Sequence, residues 1–219
     1  MKFSEFLLER AKIPMHTGYA RQKLKELEKK LWEKDLDSNE IVTILNAAFS
    51  NLLVRFEHSY SNKESDYTRV GLNGAELSPS GWITVNVTQD IDEVLNDETR
   101  AYYSEFVDLG SSLIAHELAH RDQALKSLKN FDNVPDTEDV KKYLKDHREI
   151  EAYAVQAALE LLAQFSKKEI IAKLSSSREF SKLDLWSEAI KWYTYNFDSG
   201  DPTLKKFVKK IVEIITEED

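Results

Sequence analysis

Two imidazoles and a carboxylate stand close together in Leu113–Gln123, LIAHELAHRDQ, where His116, Glu117 and His120 spell H-E-x-x-H. On a helix, residues four apart lie one above the other. His116 and His120 can therefore each aim a ring nitrogen at one point, and a single turn supplies two metal ligands. Glu117 sits about 100° round the helix from His116, where its carboxylate can reach a metal-bound water without being a ligand. Zinc lowers the pKa of such a water from about 15.7 to about 7, and the glutamate takes the proton as the water attacks a carbonyl. Leu113, Ile114, Ala115, Leu118 and Ala119 make the surroundings apolar. Two imidazoles buried there without a shared ligand would cost stability. The competing reading is a pair of surface histidines on an ordinary helix.

Catalytic zinc usually takes three protein ligands and keeps a fourth position for water. The chain has no cysteine, so His, Asp or Glu must complete the set. The residues after His120, RDQALK, lack the glycine and third histidine of the longer H-E-x-x-H-x-x-G-x-x-H motif. A later segment, DHREIEAYAVQAALELL, offers His147, Glu149 and Glu151 instead.

H-E-x-x-H followed on a second helix by E-x-x-A resembles the gluzincin branch of the zincin metallopeptidases. Glu149-Ile150-Glu151-Ala152 matches the second element. The resemblance implies Glu149 as third ligand and Ala152 as the small residue that lets two helices approach. Helical partition favours the same choice: a ligand at Glu149 leaves Ile150, Ala154, Ala157 and Leu161 as an apolar row for the core. Glu151 ranks second and His147 third. Many gluzincins carry an Asp after E-x-x-A to orient a zinc histidine, and here that place is Tyr153. Asp122 is the alternative acceptor. Tyr153, His147 and Arg148 are close in sequence to the proposed ligand and are candidate oxyanion donors. Each reads better as a structural residue, Tyr153 at the core edge and the other two at the surface, and none is assigned to the site.

The elements that must position these residues are mostly helical. Leu24, Leu27 and Leu31 predict a one-stripe helix over 18–34, and Ile41, Leu45, Ala48, Phe49, Leu52 and Phe56 a more apolar helix over 39–57. Asn73-Gly74 and Ser78-Pro79-Ser80-Gly81 are turn signals. Beside them, the alternation in WITVNVT, Trp82–Thr88, predicts a strand of one small antiparallel sheet. In zincins an edge strand at this place in the chain pairs with an extended substrate. Further helices are expected near 99–128, from between Asp136 and Lys145 through Gln164, over LDLWSEAIKWYTYNF, and from Asp201-Pro202 onward. The expected architecture is a single zincin-like α+β domain over 1–219, predominantly helical, with helical flanks at about 1–60 and 165–219 and the sheet before the H-E-x-x-H helix.

At 219 residues, with 42% hydrophobic residues and only six Gly and four Pro, the chain can bury a core built from long helices. Its net charge of −9 argues against non-specific nucleic-acid binding and against anionic lipid. The basic stretches KLKELEKKLWEK and LKKFVKKI read as solvated helix faces. No run approaches the roughly 18 apolar residues of a membrane helix, and MKFSEFLLERAK lacks a signal-peptide cleavage site. A cytoplasmic protein is expected. MKFSEFLLERA resembles the starts of many small open reading frames of T4-like tailed phages, and HELAHRDQ followed by REIEAYA resembles zincin-like proteins of such phages, which implies host cytoplasm or virion as the setting. The functional expectation is a zinc metallopeptidase acting on a protein or peptide, with Zn²⁺ on His116, His120 and Glu149 and Glu117 as general base. The alternative is an inactive zincin-fold scaffold or virion-associated protein.

Overall fold

The computed structural model describes residues 17–32, 38–50, 53–59, 71–77, 82–88, 103–127 and 139–217. The chain divides into two compact units, 1–117 and 118–219. The division falls inside the helix that carries H-E-x-x-H, α3 (Tyr103–Ser127). The described residues are predominantly helical, and no described helix is long and apolar enough to cross a membrane.

In the first unit, α1 (Thr17–Trp32) buries Ala20, Leu24 and Leu27, and α2 (Ser38–Phe49) buries Ile41, Leu45 and Phe49. Both are the stripes that a 3.6-residue period dictates. The second helix does not run on to 57 as its apolar pattern predicts. Leu53 adopts φ 57°, a left-handed conformation that costs a side-chain-bearing residue about 1–2 kcal/mol, and the chain leaves it as strand β1 (Val54–Ser59). Phe56 still reaches the core, edge-on to Phe49 with ring centroids 5.3 Å apart. Apolar content decided its burial, not its secondary structure.

The sheet holds β1, β2 (Gly71–Leu77) and β3 (Ile83–Thr88) in the order β1-β3-β2. It corrects two expectations. The sheet is not simply antiparallel: β1 runs parallel to β3, with Val54 opposite Ile83, and the β2–β3 pair alone is antiparallel. The 83–88 strand is also central rather than an edge, so its backbone groups are already spent on two neighbours and cannot receive an extended substrate. A central position explains why Thr84 is buried along with Ile83 and Val85; its hydroxyl accepts from Arg55 Nε at 2.9 Å. Asn73-Gly74 lies within β2 at an irregularity between Leu72 and Ala75, an extra residue accommodated as a bulge rather than a hairpin turn. Ser78-Pro79-Ser80-Gly81 lies outside the described residues. Along β1, Asn46 clips the backbone of Phe56, accepting from its N–H at 2.7 Å and donating to its carbonyl at 2.9 Å.

Among its described residues, the second unit holds the end of α3 and six further helices: α4 (Val140–Lys145), α5 (His147–Leu162), α6 (Lys167–Ser175), α7 (Ser177–Phe180), α8 (Glu188–Asn196) and α9 (Pro202–Glu217), with a 3-10 turn at Leu183–Leu185. The single helix expected up to Gln164 is two. Asp146, at ψ 133°, ends α4 and caps α5 by accepting from Arg148 N–H at 2.9 Å. Helix α6 begins in a capping box, Ser166 with Glu169, that S-x-x-E announces in the sequence. The core forms where the Ile150, Ala154, Ala157, Leu161 row of α5 meets Leu204, Phe207, Ile211 and Ile215 of α9. Tyr193 of α8 stacks on Phe207 at 3.9 Å and donates its hydroxyl to Leu144 O. Each Leu, Ile or Phe buried in this way contributes about 1.5–3 kcal/mol. The start of α9 follows its sequence signal: Asp201 accepts from Thr203 N–H at 2.7 Å, ahead of Pro202 at the first helical position.

Candidate metal centre

Helix periodicity sets His116 and His120 one turn apart on α3, and the Asp146 cap sets Glu149 in the first turn of α5. Each of the three offers one ligand atom, and these atoms all lie within 4.8 Å of one another. Among the described residues this is the one group of His, Asp and Glu that could hold a metal ion. His116 and Glu149 are buried and His120 is half-buried.

His120 Nε2 and Glu149 Oε2 lie 3.3 Å apart. Two ligands about 2.0–2.2 Å from a tetrahedral zinc stand about 3.3–3.5 Å apart, so this pair has the spacing of neighbouring corners. An imidazole nitrogen and a carboxylate oxygen at that distance are bridged either by a hydrogen or by a metal ion. A second imidazole within 4.8 Å of both makes the three together a donor set of the kind a metal ion takes. Two nitrogens and one oxygen form a donor set that suits zinc. The residues present therefore fit a metal ion.

Glu117 is buried at 8% exposure and is not one of the three converging groups. Glu151 faces elsewhere: its Oε2 accepts from Gln123 Nε2 at 3.1 Å and its Oε1 lies 3.7 Å from Lys210 Nζ. His147 is 86% exposed in its side chain, beside Asp146. Arg148 is committed to Asp146, donating to both carboxylate oxygens at 3.1 and 2.8 Å. Tyr153 packs edge-on between Tyr143 and Tyr193. Asp122 is exposed.

Three residues near the group carry no motif and were not singled out from the sequence. Gln123, one turn beyond His120, places its Oε1 3.2 Å from His120 Nδ1, while its Nε2 donates to Arg148 O and to Glu151. The i, i+3 spacing from His120 was the available signal, and it points to Gln123 rather than Asp122. Tyr143 hydrogen-bonds the Glu149 carboxylate. Burial first, then the neighbouring Tyr153 and Glu149, hold the Tyr143 hydroxyl far above the ordinary phenol range, so it stays protonated and donates. Nothing local in KKYLKD announces that role. Arg121, next to His120, is buried at 8% exposure; burial pulls its pKa down and the charge of Asp122 opposes this. It remains a cation.

Comparison with protein-family models, with curated proteins and with solved structures finds no match to this chain.

Proposed function

We propose that the protein is a zinc-dependent hydrolase of the gluzincin type that cleaves a peptide or related amide bond. One observation carries the reading: His116, His120 and Glu149, drawn from two helices, converge as a buried N,N,O donor set. Zinc held there would supply a Lewis acid and a water whose pKa is lowered to about 7. The chain's own residues do the rest. His116 and His120 would hold the ion as neutral imidazoles, and Glu149 would contribute one negative charge and leave a net cationic site. Glu117, beside His116 but outside the ligand set, serves as the base: its carboxylate accepts a proton from the attacking water and returns it to the leaving nitrogen. The Tyr143 hydroxyl orients Glu149.

Metal analysis and proteolysis test the reading together. Purified without chelator, the wild type is expected to carry about one zinc per chain, His116→Ala to lose it, and Glu117→Gln to keep it. A wild type without bound metal overturns the proposal. Digests of a whole-proteome peptide mixture should show cleavages in the wild type that are missing with Glu117→Gln. Zinc retained in both with identical digests identifies a metal-holding scaffold that does not turn over.

A further inference from the structure

We infer that Gln123 is the positioning residue of the centre: it fixes which nitrogen of His120 is free to bind a metal, and it ties that choice to the helix that supplies Glu149. The inference rests on the metal-site reading above and extends it to a residue outside the ligand set.

Donors and acceptors form a chain from α5 through Gln123 to His120. Gln123 Nε2 lies 3.1 Å from Arg148 O and 3.1 Å from Glu151 Oε2. Both are oxygens that only accept, so the amide NH2 must face them, and the flipped amide would set oxygen against two oxygens. Gln123 Oε1 is thereby fixed as the atom facing His120 Nδ1 at 3.2 Å. An amide oxygen only accepts, so Nδ1 must carry a hydrogen. In the neutral ring the lone pair then belongs to Nε2, the atom that lies 3.3 Å from Glu149 Oε2. One side chain thus sets the tautomer of the ligand on α3 and grips the first turn of α5 at two points. Glu151, which the sequence offers as a rival ligand, works behind Gln123, and its second oxygen meets Lys210 of α9. Partners of this kind typically change metal affinity by about 10–100-fold.

The test uses the full-length protein and Zn²⁺ as the only probe. Proton–nitrogen correlation spectra of ¹⁵N-histidine-labelled, zinc-loaded wild type should place the hydrogen of His120 on Nδ1 and the metal shift on Nε2. The reverse assignment overturns the inference without any variant. Gln123→Leu removes the acceptor at nearly constant volume, and its zinc affinity is expected to fall about 10–100-fold. In metal-free Gln123→Leu the same spectra should lose the preference for hydrogen on Nδ1, a signature that loss of packing alone does not produce. Gln123→Leu binding zinc as tightly as wild type, or keeping the wild-type tautomer, overturns the positioning role. A wild type that binds no zinc overturns instead the reading on which it rests.

Discussion

Glu149 shows how much of a ligand's competence lies outside the ligand. Its carboxylate is buried, meets His120 Nε2 on one oxygen and receives the Tyr143 hydroxyl. A carboxylate buried this deeply is tolerable only with such partners. Tyr143→Phe removes one hydrogen bond and little volume, so zinc affinity measured by competition with a chromophoric chelator should weaken about tenfold. An unchanged affinity would reduce Tyr143 to its edge-on packing against Tyr153. At this scale the sequence was legible wherever one helical turn sufficed. His116 and His120 follow from spacing alone, while the choice of Glu149 over Glu151 needed a motif resemblance and a guess at which face of α5 is apolar. Tyr143 was not legible, because it lies on a different helix from Glu149 and depends on the break at Asp146.

That break is the element-scale feature on which the centre depends. Asp146 caps α5 and pairs with Arg148 at 2.8 Å. The hydrogen bond from the Arg148 side chain, ahead of its backbone N–H and charge, holds the Asp146 carboxyl below the ordinary carboxylate range, with partial burial opposing. A folded-state pKa below the unfolded one means stability that is fully present above about pH 4 and lost as pH falls through the lowered folded value. Asp146→Ala should therefore cost about 1 kcal/mol at neutral pH. In urea titrations the gap to wild type should stay level from pH 7 to about pH 5 and close on further acidification. A gap independent of pH would assign the effect to packing.

A second buried cap joins α5 to α8. Glu160 accepts from Ser187 Oγ at 2.6 Å, from Gln156 Nε2 at 2.9 Å and from Ala189 N–H at 3.4 Å. Glu160→Ala strips partners from buried donors and should cost about 2–3 kcal/mol, read as a lower denaturant midpoint of the metal-free protein. A loss within about 0.5 kcal/mol, the ordinary surface value, would show that water takes over the cap.

For the whole molecule, a ligand that binds only the folded chain stabilises it by mass action. With free zinc at about 100 times its dissociation constant, the gain is about 2.7 kcal/mol. For a chain of this size that corresponds to about 5–10 °C in melting temperature. Calorimetry should find this shift in the wild type, find it reversed by chelator, and find none in His116→Ala. An equal shift in the variant would place the bound zinc elsewhere. The chain's two compact units divide between Glu117 and Leu118, inside the motif.

What the residues determined alone is local and periodic. H-E-x-x-H on a helix, the stripes of α1 and α9, the Asp201-Pro202 helix start and the alternating strand at 83–88 all follow from the next four residues of chain, where backbone geometry permits few arrangements. What only the tertiary structure decided is every partnership across distance. Strand 54–59 pairs in parallel with β3, although its own residues read as the end of a helix, because Leu53 turns the chain and the sheet supplies hydrogen bonds that no local sequence encodes. Glu149 rather than Glu151 meets the histidines because the Asp146 break sets the rotation of α5. Gln123 acquires meaning from two oxygens on that same helix. Contacts of this kind are selected by the packing of whole elements, and their side chains carry no periodic signature.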